Sequence, residues 1–519
     1  MREPCLAQPL RLAELIGALS LATDLGLGLP QEHVLRQCRI AVALGAAVGA
    51  GDDDQAAAYY VALLAWVGCT ADSHELAGLF GDDIALRAQS YAVDRGGLPM
   101  LGFLLRRVGS GRPPLRRARM AASLVATNGR DVAAAMTTHC QVASQMAQRL
   151  GLGPEISGPL RLVFARWDGK GLPKGVAGDE LPVAVRLVQL ADIVEVHHRD
   201  GGVEAAVKVA RERAGGQLDP LLVTAFCDHA DALLGPLEDE PSWDAVLRAE
   251  PGPGRLLTAE RLDEALEAVA DFTDLKSPWF AGHSRGVSAL AGRAAASAGL
   301  PPEEIGAVRS AALVHDLGRI GIPTTIWDKP GPLTDAERER VRLHPYYTER
   351  MLARSPALAR LGAIAACDHE RLDGSGYHRG LTGAALSPAA RILAAADACQ
   401  AMSEPRPYRP PLEPDAAAAE LRGDVRAGRL DGDAVEDVLA AAGHRRATAR
   451  SRARPAGLTA RELEVLVLVA RGASAREVAG ELVIAEKTAR NHVECVYGKL
   501  GVSSRAEATL YAMRHGLVS

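Results

Sequence analysis

This 519-residue chain lacks the marks of an oxidising compartment, a membrane span or a general nucleic-acid coat. Its eight cysteines, at 5, 38, 69, 140, 227, 367, 399 and 495, include no CxxC pair. That speaks against a zinc ribbon or a disulfide framework and suits a reducing cytoplasm. No apolar run reaches the roughly 18 residues that a membrane span needs, and the longest N-terminal candidate is broken by Glu14 and Asp24. The formal net charge is −5, so any contact with DNA has to be local. Strand–helix alternation of a dinucleotide-binding kind is also missing, and the glycine string GSGYHRG (374–380) fails the GxGxxG spacing.

What is present is helical. Ala- and Leu-rich segments with helical apolar spacing fill most of the chain, which predicts an all-α protein. Two stretches read as linkers. One is rich in Pro, Gly and acid (236–254), and the other is basic and poor in large apolar residues (444–456). They divide the chain into 1–235, 255–443 and 457–519.

The first two segments repeat each other. FARWDGKGLPKGVAGDELPVAVRLVQLAD (164–192) aligns without a gap on HERLDGSGYHRGLTGAALSPAARILAAAD (369–397), at a constant shift of 205. The same shift places His139 on His344, whereas a shift of 250 places His33 on His283 and Gly68 on Gly318. The first copy therefore carries an insertion around 80–125, and the pair reads as a duplicated fold.

The second copy spaces His283, His315, Asp316, His344, Asp368, His369 and Asp397 along otherwise apolar sequence. Imidazole and carboxylate together suit iron, manganese or zinc, and a carboxylate can bridge two ions. The first copy serves as an internal control. It has Ala65–Trp66 in place of His315–Asp316 and Val163–Phe164 in place of Asp368–His369. The framework thus tolerates apolar residues there, and the polar ones need a reason beyond packing. His33, His139 and Asp192, which the first copy retains, are expected to be hydrogen-bonded structural groups.

The series GHS (282–284), HDLGRIGIP (315–323), HP (344–345), DHERLDGSGYH (368–378) and AADACQAMSEPRPYR (395–409) resembles an HD-GYP domain over about 255–443. The resemblance implies a helical, metal-dependent phosphohydrolase that acts on cyclic di-GMP or another phosphorylated nucleotide. It implies two divalent ions, with iron or manganese favoured. His283, His315, Asp316 and Asp397 would hold one ion. Asp316 would bridge to a second, held by His344, Asp368 and His369. Asp316 and Arg319 would be catalytic, and Arg319, Arg371, Gly376 and Tyr377 would meet substrate. Four positions depart from the family pattern. Asp368 replaces a His, Arg319 replaces a Lys, His378 replaces the Pro of GYP, and Trp279 stands where trinuclear members carry Glu.

The last segment carries three capping-box signals, Thr459–Glu462, Ser474–Glu477 and Ser504–Glu507, and helix-stopping glycines at 472, 501 and 516. Four short helices follow from these. In the third, about 486–500, Ala489, Val493, Val496 and Leu500 form a packing stripe. The motifs LTARELEVL, ASAREVAGEL, EKTARNHV and KLGV resemble a LuxR-type helix-turn-helix. By that resemblance Lys487, Thr488, Arg490, Asn491, Lys499 and Arg505 would contact double-stranded DNA. The whole reads as two tandem HD-type helical domains followed by a DNA reader, acting as a cytoplasmic homodimeric regulator with no membrane contact. The two alternatives are a phosphodiesterase that the DNA module only localises, and a catalytically inactive nucleotide sensor.

Overall fold

The computed structural model describes residues 8–94, 96–127, 129–444, 458, 460–482, 484–502, 504–514 and 517. Among these residues the regular structure is helical, joined by a few isolated β-bridges. The chain divides into two compact units, Met1–His444 and Arg445–Ser519.

Both copies lie inside the first unit, and their helices fall at the two shifts read from the sequence. His33–Ala47 and Asp52–Leu64 correspond to His283–Ser297 and Pro302–Val314, and Val183–Arg213 begins where Pro388–Ser403 begins. Details repeat as well. Arg186 pairs with Asp219 at 2.8 Å, and Arg391 pairs with Asp431 at 3.0 Å. Each of those aspartates also caps a helix by accepting backbone N–H groups.

Gly68 and Gly318 mark the tightest shared approach. A Cβ on Gly68 would lie 2.1 Å from the carbonyl oxygen of His139, and one on Gly318 would lie 2.0 Å from that of His344. The chain after the His315–Asp316 pair is thereby pressed against the turn that carries His344. The first copy keeps this approach although Ala65–Trp66 and Val163–Phe164 stand in place of the His315–Asp316 and Asp368–His369 pairs.

Residues 73–126 of the first copy form four helices, Ser73–Phe80, Asp83–Ser90, Gly97–Arg107 and Pro114–Ala126. They supply most of a separate apolar cluster that includes Leu76, Phe80, Leu86, Phe103, Val108 and Leu124. The last three of these helices fall in the inserted segment, whereas Ser73–Phe80 lies where the second copy has helix Thr324–Trp327.

One apolar core runs through both copies. Helix Leu12–Leu27 packs on the turn Leu317–Gly321, where a Cβ on Gly26 would meet Ile320 at 2.8 Å. A buried ion pair also crosses between the copies: Lys276 Nζ lies 2.8 Å from Asp83 Oδ2, with both side chains almost fully enclosed. The segment 236–254, read from its composition as a linker, contains helix Ser242–Arg248. Trp243 and Val246 are buried, and Tyr59 donates a hydrogen bond to the Val246 carbonyl, so this segment is fastened to the first copy. Leu237 is buried as well, and Arg11 and Tyr60 bind Glu250 at its end.

The second unit holds helices Ala460–Ala470, Ala475–Glu481, Glu486–Leu500 and Arg505–Arg514 around Val465, Leu466, Val478, Ala489, Val496 and Ala508. The Ser474–Glu477 capping box forms, the Glu507 N–H donates to the Ser504 hydroxyl at 3.2 Å, and Gly501 ends the third helix in the left-handed region. Thr459, Gly516 and the basic stretch 445–457 lie outside the described residues.

Gly68→Ala and Gly318→Ala are each expected to lower stability by about 1–3 kcal/mol, because a backbone carbonyl cannot move aside as a side chain can. Melting midpoints of the full chain check this, and an unchanged midpoint in either variant would contradict the close approach.

Candidate metal centre

The metal-type residues of the second copy sit mostly where helices begin or end. His283 opens helix His283–Ser297, and His344 opens helix His344–Leu352. His315 and Asp316 follow helix Pro302–Val314 as the chain tightens into a 3-10 turn, and Asp368 and His369 follow helix Pro356–Ala365. Asp397 comes from within helix Pro388–Ser403. At a helix end the chain is released from regular spacing, so neighbouring side chains can turn into one pocket.

They converge there. His283 Nε2 lies 3.1 Å from Asp397 Oδ1 and 3.4 Å from Asp316 Oδ2, and His315 Nε2 lies 3.0 Å from Asp316 Oδ2. On the other side His344 Nε2 lies 3.6 Å from Asp316 Oδ1 and 3.9 Å from Asp368 Oδ2, and His369 Nε2 lies 3.5 Å from Asp368 Oδ2. Asp316 thus faces one cluster with each oxygen. The groups His283–His315–Asp397 and His344–Asp368–His369 each offer ligand atoms within 4.8 Å of one another.

These side chains fit divalent cations by their hydrogen bonding. Nδ1 of His315 bonds to the Ala312 carbonyl at 2.8 Å, Nδ1 of His344 to the Val341 carbonyl at 2.6 Å, and Nδ1 of His283 to Glu404 at 2.8 Å. Those partners hold the proton on Nδ1 and turn the Nε2 lone pair inward, as metal-ligating histidines require. His315 Nε2, His344 Nε2, both Asp316 oxygens and Asp368 Oδ2 are buried without an aligned hydrogen bond. Each such atom costs about 1–3 kcal/mol if nothing compensates it.

The electrostatics agree. Burial pulls the His315 pKa down, but Asp316 and then Asp397 outweigh it and hold it well above the usual value. Burial favours protonating Asp316, yet Arg319 and His315 hold it well below the carboxylate range. Burial, opposed by Asp368 and aided by His344, pushes His369 down to about 4. A cation and a proton compete for the same lone pairs, so the raised histidine values measure how negative the pocket is.

A cleft spanning about 1520 Å³ of space, its open mouth included, lies over this cluster. Arg319 stacks on Phe280 at 4.5 Å and Trp327 at 5.4 Å, and its Nη1 lies 2.7 Å from Asp316. Its Nε and Nη1 groups have no aligned acceptor. Tyr377 stacks on His369 at 4.8 Å, and both line the cleft. Arg371 and Gly376 are not part of the lining. Arg371 donates to the Asp368 and Glu370 carbonyls, and a Cβ on Gly376 would meet the Arg371 backbone nitrogen at 2.4 Å. Phe280, Trp327, Lys329, Arg338, Arg406 and Tyr408 line the cleft without having been singled out from sequence, and Glu404 behind His283 was missed too. The PRPYR run was the one local signal for Arg406 and Tyr408.

The first copy fills the same place with aromatic rings. Trp66 takes the position of Asp316, and Phe164 that of His369. Phe164 packs 5.8 Å from the Trp66 ring and 5.0 Å from the His139 ring. His139 turns Nε2 onto the Ala65 carbonyl at 2.9 Å, so that nitrogen is engaged by the protein itself. His33 lies between Glu195 at 2.5 Å and Asp192 at 3.2 Å, and Tyr91 donates to Asp192. No metal-type cluster occurs in this copy among the described residues.

In the second unit Lys487, Thr488, Arg490 and Asn491 are exposed on helix Glu486–Leu500, opposite buried Ala489 and Val496. Lys499 pairs with Glu462 at 2.7 Å, and Arg505 donates to the Gly472 and Ala473 carbonyls, so these two also tie helices together. Ala485 begins the helix without a side-chain cap.

Residues 267–434 match the HD domain family, and residues 456–512 match bacterial regulatory proteins of the luxR family. A 3'3'-cGAMP-specific phosphodiesterase 3 from Vibrio cholerae is 29% identical over 419 residues, which is 80% of this chain and 91% of that protein. The cyclic di-GMP phosphodiesterase response regulator RpfG of Xanthomonas campestris is 36% identical over 182 residues, 35% of this chain and 48% of that protein. Another, a cyclic di-GMP phosphodiesterase of Thermotoga maritima, is 38% identical over 160 residues, 30% of this chain and 43% of that protein. The chain thus spans less than half the length of these last two. The crystal structure of a cyclic GMP-AMP specific phosphodiesterase from V. cholerae superposes with a TM-score of 0.59 at 25% identity, covering 84% of this chain and 98% of that one.

Burial lowers the pKa of His33, but Glu195 and Asp192 outweigh it and raise it to about 10. A histidine held that high stabilises the fold fully below about pH 6.5 and loses the contribution as pH rises toward 10. The gap in melting midpoint between wild type and His33→Asn should therefore narrow from pH 6.5 to 10. A constant gap would mean that the folded protein holds His33 uncharged.

Proposed function

We propose that this chain, which joins an HD domain to a luxR-family regulatory domain, is a metal-dependent phosphodiesterase for cyclic dinucleotides whose nucleotide state biases DNA binding. The observation that carries the reading is the ring of buried ligand atoms around Asp316 that lack an aligned hydrogen bond. His283, His315, Asp316 and Asp397 would hold one ion, and Asp316, His344, Asp368 and His369 a second, with iron or manganese favoured by the mixed nitrogen and oxygen set. When bound, the ions supply Lewis acidity toward the phosphate oxygens.

The chain's own residues do the positioning. Arg319, braced between Phe280 and Trp327 and ion-paired with Asp316, lines the cleft, and its N–H groups without an aligned acceptor can donate to a phosphate oxygen as charge builds in the transition state. Arg406 packs over Phe280 at 5.3 Å and adds a second guanidinium to the cleft wall. Tyr377, Trp327 and Tyr408 offer ring faces for nucleobases. Gly376 lets the loop fold back so that Tyr377 reaches His369, and Arg371 holds that loop through backbone carbonyls. A cleft lined by arginines and aromatic rings suits a ligand with phosphates and nucleobases, in keeping with the relatives named for 3'3'-cGAMP and cyclic di-GMP.

The exposed residues of helix Glu486–Leu500 would enter the major groove of double-stranded DNA, with a homodimer matching a two-fold operator in the cytoplasm. Lys499 and Arg505 would approach phosphates from the flanks.

Metal analysis together with a panel of cyclic dinucleotides tests the enzymatic half. Wild type is expected to carry metal and to hydrolyse at least one of them. Asp316→Ala is expected to lose most of the metal and turnover by more than about 100-fold, beyond the loss typical of an outer partner. Tight nucleotide binding without turnover would instead favour a sensor. For the DNA half, selection from random duplexes should enrich a two-fold motif. Lys487→Ala is expected to reduce the salt slope by about 1, and Asn491→Ala to cost about 1–3 kcal/mol and relax one base position. Absence of any enriched motif at moderate salt would remove the regulatory reading.

A further inference from the structure

Helices Asp83–Ser90 and Gly97–Arg107 of the first copy wall part of a second hollow. It spans about 810 Å³ of space including its open mouth, and Trp66, His139 and Phe164, the positions of Asp316, His344 and His369 in the second copy, are among its lining. It is therefore the counterpart of the catalytic cleft with its ionic lining exchanged for an apolar one. Leu86, Met100, Phe103, Leu104, Val132 and Met136 supply most of the wall.

The polar groups at its edge are already engaged. Arg87 donates to Asp83 and to the Cys69 and Gly26 carbonyls and pairs with Asp72. The Ser90 hydroxyl bonds to the Arg87 carbonyl, the Tyr91 hydroxyl to Asp192, and His139 to the Ala65 carbonyl. A charged ligand would find no counter-ion to spare. An apolar wall of this kind favours apolar molecules over polar ones, and methionine side chains adapt to their shape.

We propose that this vestigial cleft binds an uncharged, predominantly apolar small molecule, and that its occupancy acts on the catalytic cleft. The route is one carboxylate. Asp83 holds Arg87 at 3.0 Å on the hollow's side, and on the other it accepts from Lys276 at 2.8 Å and from the Thr324 N–H at 2.9 Å. Thr324 opens the short helix Thr324–Trp327, whose last residue walls the catalytic cleft. A ligand that displaces Arg87 shifts Asp83, and with it the anchor of Trp327. The coupling rests on the catalytic reading of the second cleft; the binding does not.

The test uses the full chain and the uncharged fluorophore N-phenyl-1-naphthylamine. Saturable binding at one site per chain is expected, with energy transfer from tryptophan. The anionic relative 1-anilinonaphthalene-8-sulfonate should bind at least about 10-fold more weakly. Met136→Trp and Met100→Trp, on separate helices, should each weaken the neutral probe at least about 10-fold while metal content and helical circular dichroism stay as in wild type. Hydrogen exchange at 324–327 should change when wild type is saturated and stay constant when probe is added to Met136→Trp. No saturable binding, equal affinity for the anion, or full affinity in whichever variants fold would overturn the site. Probe binding with unaltered exchange at 324–327 would overturn the coupling, whatever the enzyme does with nucleotides.

Discussion

A carboxylate buried with both oxygens unmatched is the constraint around which the second copy is organised. Asp316 is nearly enclosed, faces three imidazoles and a guanidinium, and has no aligned hydrogen bond. Desolvation of a charge is tolerable only where opposite charge compensates it, so every neighbour is set by that need. The helix ends at His283, His315 and His344 bring rings to it, and backbone carbonyls or Glu404 hold the outer nitrogen of each ring. Arg319 approaches from the cleft side, clamped by two aromatic faces. Local structure, packing and electrostatics thus serve one group.

The first copy shows what the same backbone does when that group is removed. With Trp66 in place of Asp316, the pocket closes by ring packing, and His139 turns its inner nitrogen to a carbonyl. Its remaining charges pair among themselves: His33 with Glu195 and Asp192, and Glu195 also with Arg36. The close approach at Gly68 persists because it belongs to the fold rather than to the chemistry. Duplication has therefore separated two demands, one copy keeping the ionic pocket and the other an apolar one.

The two copies are also not independent bodies. A shared core, the packing of Gly26 on Ile320, and the buried Lys276–Asp83 pair join them into one unit. Removing Asp83 would leave both Lys276 and Arg87 buried without this carboxylate, so the pair ties the two copies to one another's charges. The helix Ser242–Arg248 adds a further fastening in a stretch whose Pro, Gly and acidic content looks like a tether.

Much of this was readable along the chain. The two shifts, the position of the insertion, the helical class, the metal-type series and the four C-terminal helices all rest on local spacing, and spacing is a property of sequence. So was the contrast between copies, since Trp66 and Phe164 stand in plain register with Asp316 and His369. Tertiary structure alone decided the rest. It split the two Asp316 oxygens between two clusters, put Glu404 behind His283, walled the cleft with Phe280 and Trp327, turned Arg371 away from it, and placed Asp83 of one copy against Thr324 of the other. Those facts depend on how helices distant in the chain cross and on which face each presents. Such crossings are set by the packing of whole surfaces, which no short run of residues encodes.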